Sequence, residues 1–243
     1  GRSDLYNLCI IRRKHKRVLQ ANGGNGSVDS GFVQYAYGGG GGGRIAVMYQ
    51  SLSGTPGVRF SANCGKTPYT VDINSPADKA AAQVGTLWFP DSTLLDSVLN
   101  AWGGIGSGLN GYFVFQSTNV WTPTNLLVLN NSILGILEGA RLQVTNDLTV
   151  VTGGVVVATR AALSCGGNLL MTNGASLIVY GGETNAVYTN YGTVLVVGDT
   201  LTVASNCWVY PFSHSTNGGS VLMQVGGLDI RSGGGINADG RGY

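Results

Sequence analysis

A pattern of apolar residues recurs about every 21 residues in the second half of the chain, and it constrains the fold more than any other feature. Five leucines mark the recurrences: Leu126, Leu148, Leu169, Leu201 and Leu228. Apolar residues also stand two and eight positions after each of them, in short alternating bursts. Alternation with period two puts one set of side chains on one face of a strand. Bursts this short form no independent sheet, but stacked copies bury a continuous core.

Two further apolar positions precede the last four of these leucines. Leu142, Leu163, Leu195 and Leu222 stand six residues before them, and Val144, Cys165, Val197 and Gln224 stand four residues before them. Gln224 is the only polar residue in these two sets. The pattern therefore predicts three short strands in each repeat. Because Cys165 occupies a position that valine holds elsewhere, we predict that its thiol fills the core.

A turn signal follows each of the five leucines five residues later. The residues there are Asn131, Gly153, Gly174, Asn206 and Gly233, all of which tolerate a left-handed backbone. The next residue is always small (Ser132, Gly154, Ala175, Cys207 and Gly234), which indicates a corner with little room. Insertions at residues 180–191 and 211–219 lengthen two repeats, and insertions in stacked repeats form loops on one face.

The first half repeats different, glycine-rich phrases. Residues 19–24 (LQANGG), 60–65 (FSANCG) and 236–241 (INADGR) share one pattern, in which Cys64 replaces a glycine. A second pair, residues 43–49 (GRIAVMY) and 85–89 (GTLWF), joins glycine to a strand. We therefore divide the chain into glycine-rich coils with loops over 19–115 and regular coils over 116–243. The phrase at 236–241 predicts that a further unit follows.

The composition agrees with strands and turns. The 243 residues include 40 glycines and six prolines, 11% are charged and 43% are hydrophobic. The glycines lack the period of three that collagen requires, and the apolar fraction can support a core. No apolar stretch reaches the length of a transmembrane helix. The predicted fold class is all-β, a parallel β-helix or β-solenoid that is right-handed by the usual connection rule.

The phrases ANGGNG and GGGGGGRIAVMY, followed by coils of the LTVxxGGxVV type, resemble glycine-rich β-helix repeat proteins of bacterial surfaces. Adhesin-like and autotransporter-passenger-like proteins are the group they resemble, over most of residues 19–243. The resemblance implies an extracellular or cell-surface location. It also implies a structural or adhesive role, with surface glycans or other cell-surface proteins as partners. The resemblance does not identify any functional residues in this sequence.

Residues 1–18 do not fit either repeat, and they contain the basic run RRKHKR at residues 12–17. A basic run can bind nucleic acid, but no aromatic platform or nucleic-acid motif accompanies this one. Two interpretations stay open: a solvated, disordered tail, or a frameshifted reading of a normal coil. With freely chosen codons, the neighbouring frame reads ADRIYITCASFAGNTSG, which parallels residues 44–54. The gene sequence decides between them.

Most motifs that suggest chemistry have a simpler explanation. The six glycines at 38–43 lead into a strand, whereas a phosphate loop needs a helix. The calcium-roll phrase at 234–239 lacks a glycine and does not repeat in tandem, and Asp72, Asp78, Asp91 and Asp96 lack EF-hand spacing. Carboxylates such as Asp147 and Asp199 fall at turns, and His214 has no identifiable acid partner in the sequence. A threonine array of the ice-binding type is interrupted by Leu170 and Asp229. We therefore predict no catalytic residue, metal or cofactor.

Aromatic residues crowd the region between the two repeat zones, and we single out Trp102, Trp121 and Tyr112 as candidate glycan contacts. Exposed aromatic rings can stack on sugars, but burial in the core or in a cap is the alternative. The preferred function is a structural or adhesive segment of an exported bacterial surface protein. The alternative is a carbohydrate-active β-helix, either a lyase or hydrolase or a glycan-binding module.

Overall fold

The computed structural model describes residues 3–7, 17–26, 39–51, 58–65, 83–89, 91–115, 120–183 and 192–242. Within these segments the chain forms twenty strands and one helix. All pairings between these strands are parallel. The mostly β, parallel architecture predicted from the sequence is confirmed.

The elements before residue 116 are β1 (Ser3–Asn7), β2 (Arg17–Gln20), β3 (Arg44–Met48), β4 (Val58–Ser61), β5 (Thr86–Trp88), α1 (Ser92–Trp102), β6 (Leu109–Asn110) and β7 (Tyr112–Phe115). Those that follow are β8 (Val120–Trp121), β9 (Leu126–Val128), β10 (Ile133–Ile136), β11 (Arg141–Val144), β12 (Leu148–Val150), β13 (Val155–Thr159), β14 (Ala162–Cys165), β15 (Leu169–Met171), β16 (Ser176–Tyr180), β17 (Val194–Val203), β18 (Trp208–Phe212), β19 (Leu222–Ile230) and β20 (Gly235–Ile236).

The strands form sheets of nine, eight and three strands. The nine-stranded sheet has the order β1-β3-β5-β7-β10-β13-β16-β18-β20, and the three-stranded sheet has the order β2-β4-β6. The eight-stranded sheet has the order β8-β11-β14-β17-β15-β12-β9, with β19 also paired to β17. In the second half each repeat therefore contributes one strand to the nine-stranded sheet and two short strands to the eight-stranded sheet. The long strands β17 and β19 each take the place of two such short strands.

The leucines that mark the repeat lie side by side in neighbouring strands. Leu148 pairs with Leu126 and Leu169, and Leu201 pairs with Leu169 and Leu228. The first four are at most 2% exposed, whereas Leu228 in β19 is 52% exposed. Among the described strands β19 has a partner on one side only, β17. The predicted column of stacked apolar side chains is therefore confirmed, and its last member lies at an open end.

The register of β19 differs from the prediction by one residue. The alignment predicts Leu222 and Gln224 at two core positions, but Met223 and Val225 occupy them. A β-bulge causes the shift, because residues 198–199 of β17 lie opposite a single residue of β19. The prediction for Leu222 and Gln224 was wrong, and the one polar residue in the predicted column is in fact exposed.

The predicted turn residues adopt the left-handed backbone that their types favour. Their φ angles lie between 56° and 80° in all five copies. The small residues that follow are buried in the first four copies, including Cys207 at 0% exposure. Cys165, at 1%, pairs with Val144 and Val197 in the core as predicted. Burial raises the pKa of the Cys165 thiol, and its Sγ lies 2.9 Å from the carbonyl oxygen of Asn146.

The glycine-rich phrases of the first half also lie side by side. Arg44 pairs with Thr86, and Leu19 pairs with Phe60. Glycine is required where these backbones meet, because a Cβ at Gly85 would clash with the carbonyl group of Gly43. The third phrase, at 236–241, begins in β20 of the nine-stranded sheet, whereas the other two begin in the three-stranded sheet. The shared phrase therefore does not mark an equivalent position.

Two strands fall within or at the edge of the atypical segment 1–18. β1 pairs with β3, and β2 pairs with β4. Both join sheets that the rest of the chain forms. Cys9 and the basic residues 12–16 lie outside the described residues, and so do Asp72 and Asp78.

The 11-residue helix α1 is an insertion that the repeat pattern does not predict. It follows β5 and precedes β6, and its buried side chains Leu94, Leu95 and Val98 join the apolar core between the sheets. None of the described residues form a helix long and apolar enough to cross a membrane.

Candidate functional site

Helix α1 begins and ends with recognisable capping residues. The Asp91 side chain accepts a 2.8 Å hydrogen bond from the Thr93 N–H, and Asp91 itself is extended, as expected of an N-cap. Gly103 ends the helix with a φ of 86° and donates its N–H to the Leu99 carbonyl. Asp91 is therefore a capping residue rather than a calcium ligand.

The N-terminus of α1 is also bound to the nine-stranded sheet. The Tyr49 hydroxyl, just after β3, donates to the Asp91 carboxylate, and the Leu94 N–H donates to the same hydroxyl oxygen at 3.3 Å. Burial, together with the Asp91 carboxylate, raises the pKa of Tyr49 to about 12. The phenol is therefore neutral at physiological pH and holds the start of the helix in place.

A cleft of about 530 Å³ lies between α1 and residues 122–127. Its polar lining consists of Asp96, Asn100, Thr122, Thr124 and Asn125. Leu99, Leu126 and Leu127 supply its apolar lining. The volume is within the range of small-molecule sites, and an apolar lining with a few convergent polar groups is the usual composition of such a site.

Asp96 is the ionisable side chain of this lining, and its position is determined by a buried partner. The Trp121 indole Nε1 donates a 2.7 Å hydrogen bond to Asp96 Oδ1. Burial raises the pKa of Asp96, and the bond from Trp121 opposes that rise. The carboxylate is thus held at the wall of the cleft by a donor that lies beneath it.

The structure does not bring the three predicted aromatic residues together as one surface. Trp121 is 1% exposed, because it occupies in β8 the core position that Leu142 holds in β11. Trp102 is partly buried, and the Arg59 guanidinium lies 5.0 Å from the centre of its ring. Tyr112 faces outward from β7 and is partly buried. None of the three lines the cleft itself, but Trp121 bonds to Asp96 of the lining and Trp102 directly precedes Gly103 of the lining.

Tyr112 belongs instead to an apolar outer face of the nine-stranded sheet. The outward positions of β7, β10, β13, β16 and β18 carry Tyr112, Val114, Ile133, Val155, Val157, Ile178, Tyr180, Trp208, Tyr210 and Phe212. All ten are partly buried. The Tyr180 and Phe212 rings stack at 4.8 Å, and the Tyr112 ring covers Gly135. The same alternation that predicted the core would have found this face, because most of the outward positions in these strands are apolar as well, Ser176 and Thr159 being polar.

One edge of this face carries charged side chains. His214 Nε2 lies 3.8 Å from Glu183 Oε1, so the histidine does have an acidic neighbour, contrary to the interpretation of the sequence. The Arg241 guanidinium lies 4.3 Å from the ring of Tyr210 and 5.0 Å from that of Phe212. The His214–Glu183 contact joins the insertion at 211–219 to the one at 180–191, and the Arg241–Phe212 contact joins it to the chain near residue 241.

Asp147 has the turn-forming role expected from the sequence. Its Oδ1 accepts from the Asn168 N–H at 2.7 Å, and its own N–H donates to Asn125 Oδ1 at 3.2 Å. Asn168 Oδ1 accepts in turn from the Thr200 N–H at 3.3 Å. These side chains form a ladder along one corner, from one repeat to the next, and its first member also lines the cleft. No group of three or more metal-ligating side chains occurs among the described residues.

Compared with protein-family models, curated proteins and solved structures, the chain matches none of them.

Proposed function

We propose that this chain is a right-handed parallel β-helix and that it serves as a structural or adhesive segment of an exported bacterial surface protein. The observation that carries the proposal is the continuous register of the leucines from Leu126 to Leu228. Each strand of a repeat pairs with the equivalent strands of its neighbours, so the repeats stack in one direction. A right-handed path follows from the usual preference of parallel connections.

A structural role is supported by how the repeats depend on each other. A single repeat contributes only a few buried side chains to the core, so the stack is stable through contacts between neighbouring repeats. Such a stack places surface features at a set distance from each other along its length. Corner ladders such as Asn125, Asp147 and Asn168 strengthen those contacts with hydrogen bonds.

An adhesive role is supported by the apolar outer face of the nine-stranded sheet. Monomeric soluble proteins seldom expose large continuous apolar patches, and such patches commonly mark interaction sites. The face contains aromatic side chains from three different strands, including Tyr112, Tyr180 and Trp208. Contact with surface glycans or with another surface protein is consistent with that composition.

The second candidate function is a carbohydrate-active β-helix, and the cleft beside α1 favours it. The cleft combines the Asp96 carboxylate with amide and hydroxyl groups. A glycosidase or lyase that uses two carboxylates needs a second one within several ångströms of the first. Within the described segments Asp96 is the only carboxylate in the lining of this cleft, which favours binding over turnover.

The stacked fold is tested with engineered disulfides in a Cys9→Ser, Cys64→Ser background. Thr149 and Leu170 are direct partners in adjacent strands, about 4.8 Å apart, so the Thr149→Cys, Leu170→Cys pair should oxidise to an intramolecular disulfide. Thr202 lies one strand further, about 10 Å from Thr149, so the matched control pair Thr149→Cys, Thr202→Cys should stay reduced. Oxidation of the control pair, or failure of the first pair, would contradict the stacking.

The functional part is tested by incubating the chain with neutral and acidic polysaccharides and measuring new reducing ends and unsaturated products. We expect no turnover, together with retention of chain-coated beads on bacterial or glycan-coated surfaces. Detectable depolymerisation by the purified chain would replace the structural role with the carbohydrate-active alternative. Absence of both turnover and retention would contradict the adhesive role and would be consistent with a purely structural one.

A further inference from the structure

We propose that the cleft between α1 and residues 122–127 binds a neutral saccharide, through Asp96 on one wall and the Thr122, Thr124 and Asn125 side chains on the other. The inference deepens the second candidate function, because it names the ligand class of the same cleft, and it does not depend on the proposed stacked fold or on its structural role. It assigns a ligand class to a cavity of about 530 Å³, enough for a small-molecule ligand.

The two walls offer complementary hydrogen-bonding groups. The Asp96 carboxylate accepts hydrogen bonds, and the hydroxyl groups of Thr122 and Thr124 both donate and accept. Asn125 Oδ1 already accepts from the Asp147 N–H, so the group that Asn125 offers to a ligand is its Nδ2 donor. A sugar hydroxyl is both a donor and an acceptor, and a lining of mixed polarity of this kind matches a molecule with several hydroxyls.

The apolar part of the lining also fits a sugar ring. The partly exposed side chains of Leu99 and Leu127 present aliphatic surface between the polar walls. The C–H face of a pyranose can cover such surface while its hydroxyls bond to the rim. The requirement for both kinds of contact distinguishes a saccharide from a simple polar ion.

Other ligand classes fit the lining less well. An anionic sugar would be repelled by Asp96, because no cationic side chain lines the cleft among the residues that the structure describes. A calcium site with a single carboxylate would be weak, since affinity rises with the number of charged ligands. An extended peptide needs a free strand edge, but the Leu127 carbonyl and the Leu129 N–H are both bonded to Ile105. A nucleobase would need an aromatic ring to stack on, and none lines the cleft.

Trp121 is a positioning residue for this site rather than a contact. Its indole N–H holds Asp96 Oδ1 at 2.7 Å, and its ring packs against Phe115 at 5.4 Å inside the core. The carboxylate therefore needs little ordering when a ligand arrives, which limits the entropic cost of binding. The same bond makes Trp121 fluorescence a reporter of changes at Asp96.

The test uses the full chain on an array of neutral oligosaccharides, with gluco-, manno-, galacto- and xylo-configured members, and oligouronates as the anionic comparison. The best neutral hit is then titrated by calorimetry and by tryptophan fluorescence. We expect saturable binding of at least one neutral oligosaccharide and weaker binding of its uronate counterpart. CaCl2 alone, without saccharide, should give no binding heat.

Three variants locate the binding. Asp96→Asn and Thr124→Val should each weaken the neutral hit by about tenfold or more, since each removes a hydrogen bond to the ligand. The control Thr202→Val removes a threonine hydroxyl three strands away from Leu127 in the same sheet and should leave the affinity unchanged. Thermal unfolding of each variant confirms that it is folded. Thr124 is exposed, so its replacement tests the site without disturbing the core.

Four results would overturn the assignment. They are the absence of any neutral hit with the folded chain, equal affinity in the cleft variants and the wild type, preference for the uronates, or saturable binding of calcium alone. None of these results would affect the disulfide test of stacking, so failure of this inference and failure of the proposed fold are distinguishable.

Discussion

The indole N–H of Trp121 donates to Asp96 Oδ1 across 2.7 Å, although the two residues are 25 positions apart and belong to a strand and to the inserted helix. This bond joins α1 to the first strand of the regular repeats. Trp121→Phe keeps an aromatic ring in the core but removes the donor. We expect a loss of about 1–3 kcal/mol in the free energy of unfolding, measured by urea denaturation.

The matched control for that substitution is Trp208→Phe, on the outer face of β18. The Trp208 ring is partly buried and stacks loosely with Tyr210 at 6.4 Å. A smaller loss than for Trp121→Phe is expected. Equal losses in the two variants would show that the smaller ring explains the whole effect and that the bond to Asp96 adds nothing to stability.

Asp96 should make stability depend on pH. Burial raises the pKa of this carboxyl in the folded chain, so the folded state holds its proton more tightly than the unfolded state does. The contribution of Asp96 to the free energy of unfolding therefore falls as the pH rises from the ordinary carboxyl pKa through the raised one. Asp96→Asn removes that fall, and we expect a higher melting temperature than wild type at neutral pH.

The measurement is a series of thermal melts from mildly acidic to neutral pH for wild type and Asp96→Asn, with Asp199→Asn as an exposed-carboxylate control. The wild-type and Asp96→Asn curves should converge at acidic pH. A gap that is constant across the series would show that ionisation of Asp96 is not the cause. In Trp121→Phe the pKa of Asp96, followed by carboxyl NMR, should rise further, because the bond from Trp121 lowers it.

Position within the leucine column should decide the cost of removing a leucine. Leu169 is 0% exposed with a leucine on each side, so Leu169→Ala should cost about 3–5 kcal/mol in the free energy of unfolding. Leu228 is 52% exposed at the open end, and Leu228→Ala should cost under about 1 kcal/mol. Both are measured by urea denaturation. Similar costs at the two positions would contradict the open end.

The turn after β15 allows the cost of a left-handed backbone to be measured separately from steric clashes. Gly174 has a φ of 78°, and an added Cβ there would meet only the Asn206 side chain, at 3.7 Å. Gly174→Ala should therefore cost about 1–2 kcal/mol from the left-handed backbone alone. Gly174→Asn should cost less, because asparagine tolerates this region and occupies the equivalent position at 131 and 206. A higher melting temperature for Gly174→Ala than for Gly174→Asn would refute this explanation.

The sequence predicts the core of the repeats well because one side chain in two is constrained there. The leucine column, the positions eight residues later and the left-handed turns all follow from period and residue type. The register of β19 does not, because the single extra residue at 198–199 is absorbed without changing the apolar pattern. Leu222 and Met223 are equally apolar, and only pairing with β17 distinguishes them.

The candidate site was harder to predict because it depends on an element outside the repeat. Asp91 as an N-cap, Leu94, Leu95 and Val98 at helical spacing, and Gly103 as a C-cap are together a helix signal. The glycine-rich phrases before the helix favour strands, so the alternating pattern there does not predict a helix. Trp121 is recognisable in the sequence as a large aromatic residue, but its burial follows only from the pairing of β8 with β11. No sequence motif marks the neighbouring Thr122 and Thr124 as lining a cleft.

The strands β19 and β20 lie at the uncovered edges of the described sheets. Leu228 is 52% exposed, Ile230 43% and Ile236 38%, beside strands that have a partner on only one side among the described residues. An end of this kind is a template for strand addition. A strand laid against β19 and β20, from this molecule or from another, would cover these three side chains and extend both sheets.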